Sequence, residues 1–272
     1  MTPTIRLSLP SKGRLETDAL EFLAEAGLRV FKPNPRQYQA EVPEHAGWSA
    51  PLRMTVPLSL PEIFTRLFDR FGPLDWWPAE TPFEVCVGAI LTQNTAWSNV
   101  EKAICALKQE GIMSHTTLHE CDPEKLARLI RPAGYFNVKS RRLQDFTAWL
   151  SLNHQGSLER MFAGNWQELR EDLLRVRGIG PETADSILLY AGNKPSFVVD
   201  AYTRRLFQRL GLLPEATSYE QTRALFMNDL PEDVRLFNEY HAQIVQQCKR
   251  FCRSKPLCSG CPLYDFCPSR LT

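Results

Sequence analysis

From Val176 to Asp185 the chain reads Val-Arg-Gly-Ile-Gly-Pro-Glu-Thr-Ala-Asp, and Phe197-Val198-Val199-Asp200 follows. Gly178 and Gly180 flank Ile179 and precede Pro181, a residue suited to the first position of a helix. A turn of this composition leaves backbone amides at a helix start, where they attract an anion. A nucleic-acid phosphate is one such anion, held without any base being read. A plain helix connector has the same composition, so both readings stay open. Asp200 precedes Ala201-Tyr202-Thr203-Arg204, where a carboxylate caps a helix, and Glu182 falls in a first turn, where the helix dipole favours an acid. A second chemical cluster closes the chain: Cys252, Cys258, Cys261 and Cys267, with five, two and five residues between them. Four cysteines in one short loop suit a tetrahedral zinc ion or a cubane iron-sulfur cluster. Disulfides are the alternative, but the N-terminus has no secretory pattern, so a reducing cytoplasm is expected.

Helices must position these groups. Thr81-Pro82-Phe83-Glu84 is a capping box, with Val85, Cys86, Ala89 and Ile90 on one face beyond it. Asp122-Pro123 opens another helix, which Pro132 and Gly134 must stop, and Leu143, Phe146, Trp149 and Leu150 mark the next. Leu169, Leu173 and Val176 lead into the glycine turn, while Ile187, Leu188 and Tyr190 leave it as core positions. Ser218 with Gln221 is a second capping box. Phe237, Tyr240, Ile244 and Val245 form a stripe running into the cysteines, and His241 is expected to pack or hydrogen-bond within that helix. Strand alternation is absent from this stretch, so the fold class is all-α, with about ten helices. Cys86, Cys105 and Cys121 read as ordinary thiols.

The hairpin and Asp200 resemble the helix-hairpin-helix DNA glycosylases of the endonuclease III superfamily, and within it the 3-methyladenine DNA glycosylases of the endonuclease III type. That resemblance implies a two-lobed fold with an extruded nucleotide in the cleft, and double-stranded DNA carrying a damaged base as partner. It makes Asp200 the carboxylate that stabilises a positively charged sugar and helps water attack. The endonuclease III pattern has a lysine directly before Thr-Ala, where this chain has Glu182. A lysine amine can form a Schiff base and a glutamate cannot, so the expected enzyme is monofunctional. The alternatives are a glycosylase/lyase using another amine, or a damaged-DNA-binding module without catalysis. Trp76-Trp77-Pro78 is similar to an aromatic pair near the family's base pocket, where stacking and cation-π attraction would hold an alkylated purine. Gln93, followed by Asn94, matches the side chain that plugs the hole left by the flipped nucleotide. Gly134-Tyr135-Phe136-Asn137-Val138-Lys139 resembles the family's glycine turn; Lys139 is expected on a DNA phosphate and Tyr135 against the pocket. The cysteine loop implies a 4Fe-4S cluster, with zinc as the alternative. The family's first gap is one residue longer, so Cys248 competes with Cys252 as first ligand.

Composition admits this reading. The chain has 272 residues, 43% of them hydrophobic, enough for one or two cores, and a net charge of +1 means that any DNA-binding face must be local. Basic groups at Lys139, Arg141 and Arg142, at Arg204, Arg205 and Arg209, and at Lys249, Arg250, Arg253 and Lys255 are candidates. No apolar run approaches membrane-spanning length, and a cytoplasmic, nucleoid-associated monomer is expected. Residues 1–45 are a different matter: Ile5–Leu9 reads as a strand, 20–27 as a helix and Arg29-Val30-Phe31 as a second strand. With Asn34-Pro35-Arg36-Gln37-Tyr38 this segment resembles the start of ATP phosphoribosyltransferase, but nothing further along continues that enzyme, so no phosphoribosyl transfer is inferred. Prolines then suggest a linker over 46–57. The expected lobes are a helical barrel over about 80–195 and a cluster lobe built from 58–79 and 196–272.

Overall fold

The computed structural model describes residues 21, 29–34, 37–41, 52–55, 58–74 and 79–271. The N-terminal segment carries the expected strand at Arg29-Val30-Phe31 and two further strands. Strands β1 (Arg29–Asn34), β2 (Gln37–Glu41) and β3 (Leu52–Thr55) form an antiparallel sheet in the order β1-β2-β3. The stretch read as a linker therefore carries β3, paired from Gln37↔Thr55 to Ala40↔Leu52. Pro33 falls where the β1–β2 register shifts between Phe31 and Asn34, and a proline has no N–H to give a ladder. The strand expected at Ile5–Leu9 lies outside the described residues, as does the 20–27 helix apart from Glu21, which is helical.

From residue 58 on, the described regular elements are helical, as the patterning predicts. They are α1 (Leu60–Phe71), α2 (Pro82–Leu91), α3 (Trp97–Gln109), α4 (His115–His119), α5 (Pro123–Leu129), α6 (Phe136–His154), α7 (Leu158–Ala163), α8 (Trp166–Arg175), α9 (Pro181–Ser186), α10 (Ala201–Arg209), α11 (Tyr219–Asp229) and α12 (Val234–Arg250). A π-type turn, Ile187–Ala191, prolongs α9, and short 3-10 turns lie at Arg131–Ala133 and Tyr264–Phe266. Ser59 caps α1 reciprocally with Glu62. Thr81 caps α2 by accepting the Glu84 amide, but the Glu84 carboxylate reaches back to the Glu80 amide and takes Lys108 at 2.8 Å. Pairing explains how Glu84 can be buried in a helix whose residues from Phe83 to Leu91 are all buried.

The chain divides into two compact bodies. One comprises Pro73–Asp200 and Tyr219–Ala242, the other Met1–Gly72, Ala201–Ser218 and Gln243–Thr272. In the first, α2 is the hub of an apolar core with Val100, Leu107, Leu143, Phe146, Leu173 and Ile187 around it. Tyr219–Ala242 belongs here and not with the cysteine segment, contrary to the expected lobe boundary. Aromatic packing is the reason: Phe226 stacks on Phe197 at 3.9 Å between centroids, and Phe237 and Tyr240 meet Phe197 edge-on. In the second body Phe71 packs on Phe251, and the Arg66 guanidinium lies over Phe266.

Candidate functional site

The hairpin joins α8 to α9. Gly178 has φ +87, and a Cβ there would collide with the Arg142 side chain, so glycine is required twice over. Among the described residues the Gly178 and Gly180 amides have no recorded partner, whereas the Ile179 amide donates to the Val176 carbonyl. The Ile179 side chain is buried. Ile179 is thus a packing residue, which corrects its placement on DNA, and the anion-binding capacity of the turn lies with Gly178 and Gly180.

Gln93 is built into this turn. Its Nε2 donates to the Gly178 carbonyl at 2.9 Å and to Thr183 Oγ1 at 2.8 Å, while Arg142 Nη1 donates to its Oε1. An amide satisfied on both sides must exchange these bonds before it can fill a gap in a duplex. Asn94, beside it, is exposed and left-handed at φ +52. The Gly134-Tyr135 turn adjoins the same place, because a Cβ on Gly134 would lie 3.9 Å from Thr95 Oγ1. Tyr135 is itself left-handed at φ +46 and 72% exposed, so its ring stands out at a loop tip instead of lining an enclosed pocket. Trp76 and Trp77 lie outside the described residues.

Lys139 requires correction. It is 1% exposed, and its Nζ donates to the carbonyls of Leu91 and Ala133, both at 2.8 Å. These carbonyls close α2 and the 3-10 turn, so the ammonium ties two element ends together and cannot reach a phosphate. Burial, with Arg142 adding repulsion, lowers its pKa to about 8. Arg142 is the basic residue of this group that meets the hairpin.

Asp200 stands immediately before α10, its side chain 15% exposed. Its Oδ2 lies 3.5 Å from His241 Nε2, and His241 Nδ1 lies 2.5 Å from the Tyr190 hydroxyl. The His241 side chain therefore finds its partners outside its own helix, contrary to the expectation that it packs or hydrogen-bonds within it. Tyr190 and His241 are 51 residues apart, and no spacing in the sequence links either to Asp200. Glu182 is exposed in the first turn of α9.

In the second body Cys252, Cys258, Cys261 and Cys267 line one cavity with Leu206, Arg209 and Gln247. A hydrogen bond from Cys248 draws the Cys252 thiol down to about 6 against its burial, and Arg209 Nη1, 3.3 Å from the sulfur, adds to the pull. Gln247 Nε2 donates to Cys261 Sγ at 3.0 Å, and the Leu271 amide to Cys258 Sγ at 3.3 Å. Cys248 does not line the cavity; its thiol lies 3.5 Å from the Tyr202 carbonyl. Among the described residues no three His, Cys, Asp or Glu side chains converge as a single-ion site.

Comparison with known proteins bears on these features together. The profile of the HhH-GPD superfamily base excision DNA repair proteins matches residues 87–232, which contain the hairpin and Asp200. A Methanocaldococcus jannaschii protein assigned by name to the DNA repair glycosylases is 48% identical over 211 residues, 77% of this chain and 96% of that one. Thermotoga maritima endonuclease III is 30% identical over 187 residues, 68% of this chain and 82% of that one. Among solved structures, H. pylori 3-methyladenine DNA glycosylase bound to 1,N6-ethenoadenine superposes with a TM-score of 0.60 at 31% identity, covering 70% of this chain and 96% of that one. The family match spans more than half of the chain, and this chain belongs to the HhH-GPD superfamily of base excision DNA repair proteins.

Proposed function

We propose that this protein is a monofunctional DNA glycosylase that removes alkylated purines from duplex DNA. Its superfamily makes the reaction class cleavage of the N-glycosidic bond of a damaged base. The observation that carries the monofunctional reading is Glu182, which occupies the lysine position of the endonuclease III pattern. Glutamate forms no Schiff base. Lys139 is no substitute, since its nitrogen is buried and committed to two carbonyls. As the bond to the base breaks, its electron pair leaves with the base and positive charge builds on the sugar. The Asp200 carboxylate stabilises that charge, and water adds to the anomeric carbon and gives up a proton. An alkylated purine is already cationic and leaves readily, so this route needs no amine nucleophile. The likeness to the H. pylori 3-methyladenine enzyme supports that substrate class.

The Gly178 and Gly180 amides suit a backbone phosphate, with Gln93, Asn94 and Tyr135 presented beside them. Trp76 and Trp77 are proposed to stack on the extruded base. The four cysteines fit a 4Fe-4S cluster: they share a cavity, and the sulfurs of Cys252, Cys258 and Cys261 receive N–H donors. Such a cluster supplies a cross-link that fixes the loop, and Cys252 is the first ligand in preference to Cys248. C252A is then expected to lose bound iron and sulfide, and C248A to keep them. The reverse pattern would reassign the ligand.

The deciding experiment treats methylated duplex DNA with the purified protein, scores strand breaks before and after alkali, and runs a parallel borohydride trap. Free 3-methyladenine, breaks that need alkali and no trapped adduct are expected. Direct breaks with a trapped adduct would overturn the monofunctional reading, and absence of any base release would overturn the glycosylase reading.

A further inference from the structure

The chemistry assigned to Asp200 leaves two polar side chains of the same body unused. Tyr190 is half-buried and His241 is 5% exposed, and they line up with the carboxylate. The phenol oxygen lies 2.5 Å from Nδ1, and Nε2 lies 3.5 Å from Asp200 Oδ2. His241 Nε2 is buried and completes no hydrogen bond among the described residues, so it is poised toward Asp200. We infer that Tyr190 and His241 are positioning residues for Asp200, the tyrosine setting which imidazole nitrogen carries the proton and the histidine presenting that N–H to the reactive carboxylate. The inference rests on the glycosylase reading of Asp200.

The proton placement follows from the neighbours. Burial, then the negative charge of Asp200, raises the Tyr190 pKa well above its ordinary value, so the phenol keeps its proton and donates to Nδ1. The neutral imidazole then carries its own proton on Nε2, toward the carboxylate. The opposite tautomer would set a bare nitrogen lone pair against a carboxylate oxygen. An N–H on one side of Asp200 restrains its rotation, which a carboxylate needs while charge builds on the sugar. The backbone is shaped for this contact. Tyr190 sits in the π-type turn Ile187–Ala191, closed by the Gly192 amide on the Ile187 carbonyl at 3.0 Å. A π-type turn interrupts the regular helical ladder, and such turns occur mostly as isolated insertions at functional sites.

The test compares H241L, H241Q and Y190F with the wild type in single-turnover release of 3-methyladenine from methylated duplex. Duplex affinity and the thermal midpoint are measured alongside. A glutamine can still present an amide N–H near the position of Nε2, and a leucine cannot. H241L is expected to slow release by roughly tenfold to a hundredfold, as when a group orienting a reactive ligand is removed, with duplex affinity unchanged. H241Q should recover much of that loss, and Y190F should slow release less than H241L. Wild-type rates in H241L, or equal losses in H241L and H241Q, would overturn the inference. Should H241L fail to fold, Y190F decides: slowed release at unchanged affinity supports the relay and an unaltered rate overturns it. No release by the wild type would instead overturn the glycosylase reading, and the inference with it.

Discussion

Asp185 and Asp200 lie on the same stretch of chain leaving the hairpin, and the fold treats them in opposite ways. Asp185 is fully buried. It takes Arg170 Nε at 2.7 Å and Nη2 at 3.0 Å, Tyr219 OH at 2.7 Å and the Ser196 hydroxyl, with Arg223 Nε at 3.5 Å. Every side of that carboxylate is met by a donor, so its charge is spent on joining α9 to α8 and α11. Asp200 keeps 15% of its side chain exposed, and an imidazole lies 3.5 Å from its Oδ2. Complete burial among donors turns an acid into a strut, while partial exposure leaves an acid within reach of something else.

The comparison is sharpest at the two aspartates. D200N should lower base release by about a thousandfold, with duplex binding retained, because the amide cannot stabilise a cationic sugar. Retained turnover would place the chemistry elsewhere. D185N should do the converse, lowering stability to urea by about 3 to 5 kcal/mol, because two arginines lose the charge that offsets them. An equally stable D185N with impaired release would reverse the two roles.

Lys139 extends the contrast to a buried cation. K139M should lower stability by about 2 kcal/mol through the orphaned Leu91 and Ala133 carbonyls. The salt dependence of DNA binding should stay unchanged, since no phosphate contact is lost. The unfolded lysine holds its proton up to about 10.5 and the folded one releases it above about 8. In that window the unfolded chain binds more protons, so this residue's contribution makes stability rise with pH, and the slope should be shallower in K139M. Thermal melts at both ends of the window measure it. The smallest effect is expected from G178A, about 1 to 2 kcal/mol from a left-handed φ and the collision with Arg142, with weakened duplex binding read by titration.

Much of this was legible in the sequence, and for local reasons. Caps and apolar periodicity announce helices because they act over a few residues, and Thr81 and Pro82 open α2 as their spacing predicts. The glycine turn was legible because only a few residue types permit a left-handed backbone. Lys139 was misread because a lysine in a basic run looks solvated until its carbonyl partners, from Leu91 and Ala133, are known. Strand β3 falls in the stretch read as a linker because four residues, Leu52–Thr55, are too few to show an alternation against the prolines around them in the sequence.

The sequence by itself determined the hairpin, the aspartate beyond it, the glutamate in place of lysine and the cysteine spacing, each contained in a short window where residue type and interval decide the chemistry. Only the tertiary structure decided which acid is a strut and which is exposed, that Gln93 is bound directly to the hairpin at the Gly178 carbonyl, and that Tyr190 and His241 line up with Asp200. Those facts are contacts between residues distant in sequence, and burial and pairing exist only once the helices have packed.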